Sequence, residues 1–203
     1  EGTDYSTISD ITISAGATTG TASFTPTDDS VYEGNETGIV AIDTVSGGSA
    51  TEDGTQSVTI TITENESAPT VTLATSATSI AENSGSTLTL TATISQAADE
   101  DVTVNLGAAG TSTNGTDYGS ISSITVSAGA TTGTATFDPT DDSVYEGNET
   151  AVVSISSVSG ADAAESGSQS VTITITENES SPTVTLATSA SSIAENAGSS
   201  LTL

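Results

Sequence analysis

Seven segments between residues 70 and 176 alternate apolar and polar side chains with a period of two. Val71 and Leu73 recur in 70–74, and Leu88, Leu90, Ala92 and Ile94 in 86–95. Val102, Val104 and Leu106 follow in 101–106, Ile124 and Val126 in 123–127, and Ala135 and Phe137 in 132–137. Ala151, Val153 and Ile155 mark 150–158, and Val171, Ile173 and Ile175 mark 169–176. Segments of this kind, rich in Val, Ile and Thr and bounded by Gly, Asn, Ser and Asp, predict strands with one buried face. No helical periodicity competes with them. Seven such strands in about 110 residues predict an all-β fold, an immunoglobulin-like β-sandwich of antiparallel strands.

The pattern repeats. Thr3-Asp4-Tyr5 returns as Thr116-Asp117-Tyr118, and Glu64-Asn65-Glu66 as Glu177-Asn178-Glu179. Ile80-Ala81-Glu82-Asn83 returns as Ile193-Ala194-Glu195-Asn196, always 113 positions later and without a gap. About three quarters of residues 1–90 are identical to 114–203. A period this long is that of a whole domain, not of a solenoid unit. Pro69 and Pro182 interrupt the strand pattern just after the Glu-Asn-Glu triplets. The expected division is therefore the C-terminal part of one repeat over 1–66, a complete repeat over 69–179, and the N-terminal part of the next over 182–203. The chain opens inside a motif and stops inside an alternating segment, so an excerpt of a longer polypeptide is expected. Two or three residues between units are too few for a flexible tether.

Composition narrows the function. Of 203 residues 27 are acidic and none is Lys, Arg or His, giving a formal charge of -27; Cys, Met and Trp are also absent. This excludes a basic nucleic-acid footprint, attraction of a polybasic segment to anionic lipid, disulfide and thiolate chemistry, and His/Cys metal sites. No apolar run reaches the roughly 20 residues of a membrane span. An acidic, Ser/Thr-rich linker would share this composition, but not the alternation. Catalysis is not expected. Ser has no His or Lys to activate it, and these acids crowd too densely for the paired carboxylates of a glycosidase cleft.

The acids are concentrated. Asp-Asp-Ser-Val-Tyr-Glu-Gly-Asn-Glu-Thr runs from Asp28 to Thr37 and again from Asp141 to Thr150 without a change. Sixteen of the 27 acids lie in repeated motifs, in turns and at strand ends. A solvated turn is the plain alternative, since Asp favours turns. Against it, Asp10, Asp43 and Asp53 become Ser123, Ser156 and Ser166 in the second copy while the motif acids persist. A self-repelling cluster without bases points to a hard cation that seeks six to eight oxygens. Tyr5, Tyr32, Tyr118 and Tyr145 beside the acids are expected to be loop anchors with buried rings. The Asn-X-Ser/Thr sequons are expected to be unused, Asn114 being the least awkward acceptor.

The ordered set Gly-Thr-Asp-Tyr, Asp-Asp-Ser-Val-Tyr-Glu-Gly-Asn-Glu-Thr and Val-Thr-Ile-Thr-Glu-Asn-Glu, preceded by Ile-Ala-Glu-Asn, resembles the Calx-β domain. That family occurs in sodium/calcium exchangers, integrin β4 and large bacterial surface proteins. The resemblance implies Ca2+ ligands Glu82, Asp117, Asp141, Asp142, Glu146, Glu149, Glu177 and Glu179 in the complete repeat, with the Val144 carbonyl beside them. It implies Asp4, Asp28, Asp29, Glu33, Glu36, Glu64 and Glu66 in the first copy, and Glu195 in the last. The exit triplet Glu-Asn-Glu departs from the family's consecutive Asp residues, which bears on the number of ions.

The expected function is mechanical: a calcium-binding structural repeat of an extracellular or cell-surface filament or adhesin stalk, secreted and microbial, stiffened by Ca2+ at loops and junctions. The expected partners are neighbouring repeats of the same chain and, in a fibre, other copies; neither nucleic acid nor membrane insertion is expected. A calcium-sensing regulatory pair and an adhesive module binding carbohydrate or a protein are the alternatives. Near-identical tandem copies favour spacing over signalling, and a chain with few aromatics favours it over sugar binding.

Overall fold

The structure is a computed structural model that describes residues 4–196 and 198–203. Residues 70–176 form one sandwich of nine strands. They are β3 (Thr70–Thr75), β4 (Ser79–Ala81), β5 (Leu88–Ile94), β6 (Val102–Gly110), β7 (Ile124–Val126), β8 (Thr132–Phe137), β9 (Glu149–Ser159), β10 (Ala164–Glu165) and β11 (Ser170–Thr176). Before them, β1 (Glu36–Ala41) and β2 (Ser57–Ile62) pair antiparallel as a separate two-stranded sheet. All seven alternating segments are strands.

One layer runs β10-β3-β5-β8 and the other β4-β11-β9-β6-β7. The two strands that periodicity does not reveal, β4 and β10, are three and two residues long, too short to display a period. They are also the two parallel additions. β4 lies beside β11 and β10 beside β3, while every other pairing is antiparallel. The chain leaves β3 in one layer and enters the other as β4, so a single segment stitches both sheets together.

The alternation explains the core. Val71, Leu90, Ala92, Val102, Val104, Ile124, Phe137, Ala151, Val153 and Ile173 are fully buried between the layers. Branched aliphatic side chains pack well on a pleated surface, and their strand neighbours Thr72, Thr89 and Thr136 stay in solvent. Within the sandwich Tyr118 stacks on Phe137 with centroids 4.8 Å apart. A register shift between Asn105 and Leu106 in the β6–β9 pairing marks a bulge. Ser156, which has no opposite partner there, donates its hydroxyl to the Asn105 carbonyl at 3.1 Å.

The repeated segments keep their local geometry on either side of this sandwich. Tyr5 stacks on Phe24 at 4.6 Å, as Tyr118 does on Phe137, and Tyr5 bridges Pro26 as Tyr118 bridges Pro139. β1 meets β2 in the register of β9 on β11, with Glu36 opposite Ile62 and Glu149 opposite Ile175. Long-range burial does not follow. Ile11 is 59% exposed while Ile124, 113 positions later, is 0% exposed; Val184 is 97% exposed while Val71 is 0% exposed. Turn chemistry is satisfied by neighbours in sequence, whereas a strand face needs the opposite layer.

Candidate metal centre

Carboxylates converge at three places among the described residues. Asp4, Glu33 and Glu36 form one trio, Asp117, Glu146 and Glu149 its equivalent 113 positions on, and Glu82, Glu177 and Glu179 a third. Within each trio the ligating oxygens lie within 4.8 Å of one another. Each trio draws on segments distant in sequence, so the fold, not one loop, assembles it.

Asp117 sits in a tight turn between β6 and β7. Its own N–H donates to the Thr113 carbonyl at 3.0 Å, and its carboxylate accepts the Thr113 N–H at 2.5 Å. Its carbonyl accepts the Thr140 N–H at 2.9 Å, which brings the acidic loop alongside. Among the described residues Asp117 and Ser112 are the two buried polar side chains, each 8% exposed. Glu149 opens β9 and faces it. Burial, followed by hydrogen bonding to Asp117 and the Asp117 charge, pushes the Glu149 carboxyl up to about 7. Burial also raises Glu146, with Asp117 the next cause. In the first copy burial raises Glu33 and Glu36, helped by Asp4 and by Asp99 of the following unit.

Glu177 has the opposite environment. Its Oε2 accepts the N–H groups of Glu146 at 2.6 Å and Gly147 at 2.7 Å; its Oε1 accepts those of Asn178 at 3.0 Å and Glu179 at 2.9 Å. These backbone donors, that of Glu179 foremost, hold its carboxyl far below the usual range. A carboxylate that accepts several backbone N–H groups stays ionised. Glu64 does the same in the first copy, accepting from Glu33, Gly34, Asn65 and Glu66, and its carboxyl is lowered to about 2.

Glu179 completes the exit triplet. Hydrogen bonding to Glu177, then burial and Glu82, pushes it up to about 7, and its Oε2 is enclosed without a hydrogen-bond partner. Glu82, from the short 3-10 turn Glu82–Ser84, accepts the Asn178 N–H at 3.1 Å and ties the start of the domain to its exit. Burial raises its carboxyl. Glu66 is likewise raised, first by hydrogen bonding to Glu64.

The other candidate ligands lie outside the three trios. Asp29 and Asp142 each accept the N–H two residues on, from Val31 and Val144, at 2.7 Å, which is the turn role of Asp. Asp28 accepts from the Asn65 amide at 3.2 Å. Asp141 is exposed in the same loop as Asp142, and the Val144 side chain is 58% exposed. Glu195 is exposed and stands with no other member of the set. Two residues escaped the sequence. Asn35 and Asn148 accept the N–H groups of Glu64 and Glu177 at 2.9 and 3.0 Å, pinning the acidic loop to the exit strand. Only their place between the two motif Glu residues could have signalled it.

The donor set suits a hard cation. Every trio is all-carboxylate, no base is present to neutralise it, and one enclosed oxygen lacks a partner. Three carboxylates supply three to six oxygens of the six to eight that calcium takes, leaving room for backbone carbonyls and water.

Comparison with known proteins follows the repeat. Residues 1–66 match the Calx-beta domain, and residues 67–177 match the LapA domain. No curated protein matches the chain. Among solved structures, the apo-form Calx CBD1 domain is 16% identical, covering 55% of this chain and 99% of its own, with a TM-score of 0.45. CBD12 from CALX1.2 is 18% identical, covering 48% of this chain and 40% of its own, with a TM-score of 0.42. Two copies with one shared decapeptide thus fall to two family descriptions. The LapA match covers more than half of the residues, so the chain belongs to the LapA domain family, with a Calx-beta domain at residues 1–66.

Proposed function

We propose that the chain is a calcium-binding structural repeat of a cell-surface adhesin, in which Ca2+ draws the acidic loop, the exit triplet and the turn after β4 into one rigid end. The observation that carries this reading is the gathering of three all-carboxylate trios in a chain without a single base. Asp117, Glu146 and Glu149 hold one ion, Glu82, Glu177 and Glu179 a second, and Asp4, Glu33 and Glu36 the first copy's equivalent. Calcium supplies the positive charge that the sequence withholds. Protein groups do the rest: backbone N–H donors keep Glu177 ionised, and Asn148 braces the loop against it.

The family supports a non-catalytic module at the cell surface, and tandem copies support a stalk that spaces a tip from its base. No helix among the described residues is long and apolar enough to cross a membrane. Binding confined to the folded state adds to stability, by about 2.7 kcal/mol per site at a hundredfold excess over Kd. That offsets a lean core with two Phe and no Trp.

Calorimetric titration with calcium tests the assignment. Binding should weaken at least tenfold at one class of sites in Glu149→Gln and at another in Glu179→Gln. Unchanged isotherms in both variants would remove these residues from the site.

A further inference from the structure

The decapeptides 28–37 and 141–150 share their sequence and the internal bond from the Val N–H to the second Asp, yet their tyrosines differ. Tyr145 is 45% exposed, whereas Tyr32 is half-buried against the core of the following sandwich. What covers Tyr32 belongs to the next unit. Its N–H donates to the Ala97 carbonyl at 2.9 Å, and its carbonyl accepts the Asp99 N–H at 3.1 Å, a one-residue parallel bridge across Ala98. Its hydroxyl donates to Asp162 Oδ2 at 2.9 Å, 130 positions away in sequence.

The receiving surface is firm. Ala98 is buried, and its carbonyl accepts the Gly129 N–H at 2.7 Å from behind. Asp162 sits in a turn whose Ala161 and Asp162 have φ of 50° and 49°, and the Ala161 N–H donates to Glu100 Oε2 at 3.2 Å. Gly160, at φ 95°, packs so closely that a Cβ there would stand 2.1 Å from the Asp101 carbonyl oxygen. The connector is tied as well, since the Gln96 amide donates to the Ser67 carbonyl.

We propose that the motif tyrosine is a latch between successive repeats: Tyr32 docks on the Ala97–Asp99 edge and the Asp162 turn of the next repeat of the same chain, and fixes the angle between the two. Two backbone hydrogen bonds set the register, the ring fills the gap beside Ala98, and the hydroxyl sets the rotation. The key is copied between repeats as Tyr32 and Tyr145, but the lock is not. Ser49 stands 113 positions before Asp162, so the receiving side tunes the strength of each junction. The latch rests on the tandem-repeat reading and not on calcium.

The chain has no cysteine, so spin labels on Thr59→Cys and Thr172→Cys, equivalent exposed positions of the two units, report their separation directly. In calcium the parent chain should give one narrow distance distribution. Tyr32→Ala and, from the far side, Asp162→Ala should each broaden it at least twofold. Tyr32→Phe combined with Asp162→Ala should be no broader than Asp162→Ala alone, and Tyr145→Ala should leave it unchanged. A narrow distribution in both Tyr32→Ala and Asp162→Ala, or equal broadening in Tyr145→Ala, would overturn the latch. Melting curves of the same samples in calcium and in chelator read the ion sites independently, so the two failures are distinguishable.

Discussion

The carboxylate of Glu177 accepts the N–H of Gly147 at 2.7 Å, while Glu179, two residues on, has an oxygen enclosed without a partner. Neighbours in one triplet thus have opposite needs. Glu177 is satisfied by backbone and organises the acidic loop. Glu179 is crowded by Glu177 and Glu82 and awaits a positive charge.

The two should separate on mutation. Glu177→Gln should lower the melting temperature with and without calcium, because it replaces an ionised acceptor of four N–H groups by a neutral amide. Glu179→Gln should raise it in chelator, by relieving like-charge repulsion, and lower it in calcium. Thermal unfolding of both variants under both conditions checks this, and equal behaviour would show that the triplet is one undivided cluster.

The pH dependence of the metal-free chain has a definite sign. Glu149 and Glu179 titrate near 7 in the fold and near 4.3 in an unfolded chain. Between those values the native state holds protons that the unfolded state has lost, so stability falls as pH rises from about 4.3 to 7. With calcium the trend should reverse, because the ion competes with those protons. Melting temperatures in chelator and in calcium should therefore lie close together at the acid end of that range and diverge as pH rises.

Repeat-equivalent aromatics should not be equivalent in energy. Phe137 is fully buried and stacked on Tyr118, whereas Phe24 is half-buried on Tyr5. Phe137→Ala should cost about 3–5 kcal/mol, the range for a large core truncation, and Phe24→Ala much less. Denaturant titrations of the two variants compare them.

Two glycines with positive φ should also diverge. Gly147, at φ 79°, has open space where a Cβ would stand, whereas Gly160 faces the Asp101 carbonyl. Gly147→Ala should cost about 1 kcal/mol, the left-handed penalty alone. Gly160→Ala adds a clash with backbone and should cost about 2–4 kcal/mol, summing that penalty with overpacking. Denaturant unfolding separates them.

Much of this was legible in the sequence, for a physical reason. A half-buried strand must alternate, so the segments carrying Val71, Leu90, Val104, Phe137, Val153 and Ile173 declare themselves. Ser79–Ala81 and Ala164–Glu165 do not, because pairs and triplets have no period and their partners, β11 and β3, are distant in sequence. The acids likewise show by type and clustering that the loops are charged. They do not show which three meet. Asp29 and Asp142 look like ligands in the sequence, and the structure has them accepting N–H groups from Val31 and Val144. Tyr32 reads as a loop anchor, and the sequence has no means of saying that its anchorage is the next repeat.

Thermal unfolding of the 203-residue chain at fixed ionic strength, in excess calcium, in magnesium and in chelator, tests the calcium assignment most directly. One site at a hundredfold excess over Kd contributes about 2.7 kcal/mol, which for a sandwich of roughly 100 residues raises its Tm by about 10–20 °C. Calcium should produce a rise of at least that order. Magnesium should not, since it demands a tight octahedron and sheds water reluctantly. A curve that calcium leaves where chelator put it would contradict the account and reduce the three trios to solvated charge.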